Sequence, residues 1–195
     1  SQLAFDERLK IDFGAFGSSQ QDEKIFDIQA LSYSTAAMNP TLPFHKTGNG
    51  WQRNGNASQI GPTEPLLFER NDEKNLTFNS HLQLSLQLTH NLHLAALGSY
   101  SYTSTENGRF APTWVWAQGL AYRGERKTED ILGNISLDWK YRWGINKLSA
   151  TILAEYQKKK IAAFWTQVKG LTNNYFGYDN LGAASDRPYG GTGSS

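Results

Sequence analysis

The stretch Leu76-Thr-Phe-Asn-Ser-His-Leu-Gln-Leu-Ser-Leu-Gln-Leu-Thr89 decides the fold. Its even positions, Leu76, Phe78, Ser80, Leu82, Leu84, Leu86 and Leu88, are apolar apart from one serine, while Thr77, Asn79, His81, Gln83, Ser85, Gln87 and Thr89 are all polar. A period of two held over 14 residues describes a strand with two chemically different faces. Globular strands usually have about 5–6 residues. At about 3.3 Å per residue this one spans more than about 40 Å, whereas about 9–11 residues cross a bilayer as a tilted strand.

Working outward, the pattern restarts after Thr89-His90-Asn91. Leu92, Leu94, Ala96, Gly98, Tyr100 and Tyr102 alternate with His93, Ala95, Leu97, Ser99, Ser101 and Thr103. Two long strands joined this tightly form an antiparallel hairpin. The same rule holds for Leu9, Ile11, Phe13, Ala15 and Gly17; for Gly133, Ile135, Leu137, Trp139, Tyr141 and Trp143; and, after the turn at Gly144, for Leu148, Ala150, Ile152, Ala154 and Tyr156. Strands are predicted over 8–18, 75–89, 91–104, 117–142 and 147–167.

The connections alternate in size. Long segments at 19–74, 105–116 and 168–195 are separated by tight turns at His90 and Gly144, which puts the long connections at one end of the strands and the short ones at the other. Outer-membrane barrels have this asymmetry, with short periplasmic turns and long extracellular loops. Trp139, Tyr141 and Trp143 lie beside a short turn, and Tyr100 and Tyr102 lie near a long loop, as the two interfacial girdles of a barrel require. The expected fold is therefore all-β, an antiparallel transmembrane β-barrel segment within a single domain. Leu82, Leu84, Leu86, Leu92, Leu94, Ile135, Leu137, Ala150 and Ile152 should face lipid, and Asn79, His81, Gln83, Gln87 and Asn134 should face a watery lumen. The rival fold is a β-sandwich, whose strands are rarely this long.

Composition narrows the function. Of 195 residues only 19% are charged and 13% are aromatic, with a net charge of +1; this balance offers no electrostatic footprint for nucleic acid. Mean hydropathy is −0.56, and the longest apolar run, Ile161 to Trp165, is far short of the roughly 20 residues of a membrane helix. The chain has no cysteine, so disulfides, thiolate metal sites and cysteine nucleophiles are excluded. His90 and His93 flank a turn without further ligands, and His45 and His81 are isolated, so no metal is expected. Glu129 and Asp130 are strand neighbours that point to opposite faces. Gly190-Gly-Thr-Gly-Ser194 lacks the lysine of a phosphate loop. No cofactor and no catalysed reaction are expected. Ser1 and the tail Tyr189 to Ser195 read as the borders of an internal piece of a larger protein.

Within the first long connection, Glu23 to Tyr33 leaves room for a short helix. It is followed by the turn formers of Met38 to Phe44, Gly48 to Trp51 and Gly61 to Leu66. Ala36, Asn39-Pro40-Thr41, Pro43, Gly50-Trp51, Pro65 and Leu67, then the long hairpin, then Asn180-Leu181-Gly182-Ala183-Ala184-Ser185, give an order that resembles the mid-barrel region of SusC/RagA-type TonB-dependent transporters of Bacteroidetes. The resemblance covers nearly the whole chain. It implies part of a 22-stranded, plugged barrel in the bacterial outer membrane, with a SusD-like lipoprotein as lid. It also implies a TonB complex acting through a plug absent from these residues, and import of oligosaccharides or peptides. Alternatives are a secreted carbohydrate-binding β-sandwich and a passive porin.

The candidate contact residues are the aromatics outside the girdles: Phe44, Trp51, Phe110, Trp114, Trp116, Trp165, Tyr175, Phe176 and Tyr178. Such rings pack a loop, dock a lid protein or stack on a ligand, and the sequence leaves these three uses open for each. The proline-stiffened first loop, with Phe44, Trp51 and Phe68, is expected to form the rim where a lid docks.

Overall fold

The computed structural model describes residues 8–25, 27–38, 41, 63–186 and 188–195, and the backbone of 2–5. One seven-stranded sheet runs in chain order with every pair antiparallel. Its strands are β1 (Gln2–Phe5), β2 (Leu9–Glu23), β3 (Arg70–Thr89), β4 (Leu92–Ala111), β5 (Leu120–Trp143), β6 (Asn146–Lys169) and β7 (Tyr189–Ser194). Two helices, α1 (Ile28–Ala37) and α2 (Thr63–Phe68), lie in the long connection between β2 and β3. Asp27 caps α1, its carboxylate accepting from the amides of Gln29 and Ala30 at 2.9 Å.

Register joins the separate alternations into one surface. Ile11 pairs with Leu84, Leu84 with Ala96, Ala96 with Ile135, and Ile135 with Ala154. Cross-strand partners share a face, so the apolar positions of all five long strands fall on one side of the sheet. From Leu9 to Gly17, Leu76 to Leu86, Leu92 to Tyr102, Ile131 to Trp143 and Leu148 to Tyr156, that side carries no Asp, Glu, Lys or Arg. The opposite side carries Lys10, Asp12, Asp130, Asp138, Lys140, Arg142, Lys147 and Glu155 over the same rows. Among the described residues no second sheet covers either face, and Ile152 on the apolar side is 70% exposed. A β-sandwich buries one face of each sheet against the other, so the rival fold fails on this point.

The turns have local causes. His90-Asn91 closes β3 onto β4, with a bulge between Gln87 and Thr89. Gly144 adopts φ 55° between Trp143 and Asn146, a left-handed conformation open to glycine without a side-chain clash.

Four of the five strands run further at the long-loop end than alternation predicts, while the fourth starts later there, at Leu120 rather than 117. The first continues from 18 to Glu23, the second begins at Arg70 rather than 75, and the third continues from 104 to Ala111. The fourth and fifth span Leu120–Trp143 and Asn146–Lys169, and the short strands β1 and β7 were not anticipated. The long connections therefore shrink to 24–69, 112–119 and 170–188. The cause is that Ser18-Ser-Gln-Gln-Asp-Glu23 has no contrast between its faces, yet each residue pairs with Asp72 to Thr77 and the ladder persists without an apolar side. No helix among the described residues is long and apolar enough to cross a membrane.

Candidate functional site

The described parts of the three long connections meet at one end of the sheet, and the described candidate aromatics sit there. The row Phe110, Ala121, Val168 continues the apolar face upward. Unlike the rows below, it is buried, because the segment 170–188 folds over it and packs Leu171, Tyr178, Leu181 and Ala184 against it. Gly170 (φ 71°) turns the chain back, and its amide and that of Leu171 donate to the Gln118 carbonyl at 2.9 Å. The Asn174 side chain bridges to Thr113 twice, accepting from its amide and donating to its hydroxyl, both at 2.9 Å.

Tyr178 is the most constrained of the candidates. Its ring lies over Gly108, where an added Cβ would come within 2.5 Å of Cε2. Its hydroxyl donates to the Asp72 carboxylate, and the Arg70 guanidinium sits 5.3 Å from the ring centroid while pairing with Asp72 at 2.7 Å. Withdrawal from water, then the bond to the Asp72 carboxylate, push the phenol up to about 12.

Two tryptophans tie the first connection to the second. The turn after β4 is held by Pro112, whose carbonyl accepts from the amides of Val115 and Trp116. Val115 points inward and is buried; Trp114 points outward and meets Phe68 edge to face at 5.8 Å. The Trp116 indole N–H donates to Glu69. Partial burial raises the Glu69 carboxyl above its usual range, the Trp116 bond opposes this, and the nearby Asp27 charge adds to the rise.

Trp165 belongs to the other face. It stacks on Tyr122 (6.2 Å, 22°) and meets Tyr189 edge on (6.0 Å), while Arg109 lies 5.5 Å from the Tyr122 ring. Arg109, Tyr122, Trp165 and Tyr189 thus form an aromatic and cationic stripe across β4, β5, β6 and β7 on the polar side. Tyr175 and Phe176 contact each other at 5.4 Å at the tip of 170–188, with Tyr175 90% exposed. Phe44 and Trp51 lie outside the described residues. The structure therefore gathers seven of the candidates at one end but divides them between two faces and the loop tip. Sequence reading missed Arg109, Tyr122 and Tyr189, whose membership needs the cross-strand register, and Asp72, which lies 106 residues from Tyr178.

The helices of the first connection add an apolar surface. α1 has no charged side chain and buries none of its residues; Ile28, Tyr33, Leu66 and Leu67 are all exposed. Between α1 and α2 lies a cleft of about 230 Å³, walled by Ile25, Leu31, Pro65 and Leu66 with Asp27 and Glu69 at its edge.

At the short-turn end, polar side chains cross the sheet. His93 Nε2 lies 2.8 Å from the Ser85 hydroxyl and His93 Nδ1 lies 3.9 Å from Asp138, which accepts from the Thr151 hydroxyl at 2.6 Å. The order Ser, His, Asp is that of a hydrolytic triad, but acyl transfer also needs free backbone donors for an oxyanion. Ser85 sits mid-strand, paired with β2 on one side and β4 on the other, so the backbone donors around it are committed to the ladders.

No family profile and no curated protein matches the chain. Among solved structures, a RagAB peptide importer in the 'closed-closed' state aligns over 99% of this chain with TM-score 0.67 and 12% identity, and a RagAB peptide transporter over 99% with TM-score 0.66 and 13% identity. This chain spans 23% and 24% of the length of those chains. The likeness is one of fold, that of an antiparallel sheet from part of a β-barrel.

Proposed function

We propose that these residues form part of the wall and outer rim of a bacterial outer-membrane β-barrel. That barrel imports oligosaccharides or peptides, with a SusD-like lipoprotein as lid and a TonB complex acting through a plug outside them. The observation that carries the reading is the charge-free face. On β6 the charge-free face runs from Asn146 to Tyr156, a length of ten residues. At about 3.3 Å per residue and a tilt of about 40°, that is a rise of about 25 Å, the height of the apolar band of a membrane barrel. Trp139 and Tyr141 stack at 5.7 Å at one border, and Phe78 meets Tyr100 at 6.4 Å near the other, where girdles belong. Among the described residues the β2 edge from Phe13 to Glu23 and the β6 edge from Asn146 to Lys160 have no neighbouring strand. Edges this long call for further strands, and closure into a barrel removes them.

At the rim, Trp165 with Tyr122, Tyr189 and Arg109 faces the lumen side and serves as the ligand contact. Tyr175, Phe176 and the exposed side of α1 serve the lid, while Phe110, Trp114, Trp116 and Tyr178 hold the loops in shape. The likeness to a peptide importer makes peptides the first substrates to test. In intact cells, an impermeant thiol reagent should label Gly50→Cys and leave Asn91→Cys untouched; the reverse pattern would invert the topology. Deleting residues 45–60 should weaken co-purification of the lipoprotein while the barrel stays inserted. Full retention of the lipoprotein with lost uptake would assign that loop to substrate instead.

A further inference from the structure

We propose that Lys158 and Lys160 form a seat for the phosphate groups of an anionic lipid headgroup, at the border of the membrane band on the long-loop side. This rests on the membrane reading above. Along its apolar face β6 reads Ala150, Ile152, Ala154, Tyr156, Lys158, Lys160, so the face passes from aliphatic through one tyrosine to two ammonium groups. Residues two apart on a strand share a face about 7 Å apart, close enough for two ammoniums to reach different oxygens of one phosphorylated headgroup. Register sets their height. Lys158 pairs with Ile131, level with Tyr100, and Lys160 pairs with Glu129, level with Tyr102. Both lysines therefore stand in the aromatic girdle, the depth of lipid headgroups.

The side is set by an asymmetry between the borders. On the long-loop side Lys74, Lys127, Lys158 and Lys160 project from the apolar face, and Arg126 and Lys159 from the polar one. On the short-turn side Lys140, Arg142 and Lys147 all project from the polar face. Among the described residues of the strands, lysines thus enter the apolar face at the long-loop border and not at the short-turn border. Availability then singles out two of the four. Lys127 is engaged by Glu125 at 2.7 Å, and Lys74 is registered against Glu106. Among the described residues Lys158 and Lys160 close no ion pair, although Glu129 stands opposite Lys160.

The test uses the complete chain that carries this sheet, extracted in a zwitterionic detergent and titrated with diphosphorylated lipid A, with phosphatidylcholine and with inorganic pyrophosphate. Lipid A should bind, and the Lys158→Gln, Lys160→Gln double variant should bind it about 30-fold more weakly, since each lysine near an anionic surface contributes about 1 kcal/mol. Lys140→Gln, Lys147→Gln should bind as the parent does. Equal binding by the double variant overturns the proposal. So does pyrophosphate binding as tight as lipid A, which would mark a site for a soluble anion. A nitroxide at Ile152→Cys, probed for relaxation by doxyl lipid, separates the two levels of the argument. Lipid contact without headgroup preference sinks the lysine seat alone, and absence of lipid contact sinks the membrane reading.

Discussion

One face of this sheet is treated in two opposite ways along its length. Between the Leu92 and Tyr102 rows no segment among the described residues covers it, and Ile135 is 48% exposed. A few rows higher, at Phe110, Ala121 and Val168, the same face is sealed by the segment 170–188. The difference shows where protein must supply its own cover. In the middle rows an apolar solvent can do it, whereas at the rim, in water, the chain must fold back on itself to bury the same kind of surface. Mutations that create a void separate the two regimes most sharply. Phe110→Ala should remove about 3–5 kcal/mol from the closure of 170–188, the usual cost of emptying a packed aromatic site, read as lost hydrogen-exchange protection at the Leu171 and Ser185 amides. Leu84→Ala should cost far less in a bilayer, because lipid chains fill the space. Equal costs at the two positions would break the contrast.

Adding a charge reverses the ranking. Leu84 lies on the row of Ile11, Ala96 and Ile135, midway between the girdles. Leu84→Arg should cost about 2–4 kcal/mol in vesicles by reversible urea unfolding of the full chain, the known price of a lipid-facing arginine at midplane. Gln83→Arg, one residue away on the polar side, should change stability by no more than about 0.5 kcal/mol by the same measurement, since water reaches that face. If Gln83→Arg proves the more damaging, lipid and lumen are exchanged and the band with them.

The same contrast explains what the sequence makes legible. In the band, one-sided burial forces alternation at every step, so the faces of Leu76 to Leu86 and Ile131 to Trp143 are written residue by residue. Above it no alternation is imposed, and the ladders of Asp72 to Asn75 with Gln20 to Glu23 continue on backbone hydrogen bonds that need no pattern. β7 is the extreme case. Gly190 is placed where a Cβ would come within 2.1 Å of the Trp165 carbonyl oxygen, so the close approach that makes this strand excludes the side chains that would reveal it. The rim was legible only as a set of aromatic residues. Which ring packs and which is presented depends on contacts such as Thr113 with Asn174 and Tyr178 with Asp72, made between segments that are distant in sequence and without periodicity.

The smallest expected effect tests whether the rim cover is latched as well as packed. Tyr178 is held by its ring on Gly108 and by its hydroxyl on Asp72. Tyr178→Phe keeps the first and removes the second. Asp72 retains Arg70 at 2.7 Å, so no carboxylate is orphaned, and the loss should be about 0.5–1.5 kcal/mol, that of one hydrogen bond. The pH dependence has a definite sign. The folded phenol is pushed up to about 12 from an ordinary value near 10. Between those values the open segment releases its proton while the closed one keeps it, so closure is fully favoured below about pH 10 and weakens as pH rises toward about 12. Hydrogen exchange at the Leu171 and Ser185 amides, corrected for its intrinsic rise with pH, should show this loss of protection in the parent and not in Tyr178→Phe. A parent curve that stays flat across that interval would mean that the hydroxyl does not hold the cover and that packing on Phe110, Ala121 and Val168 does so alone.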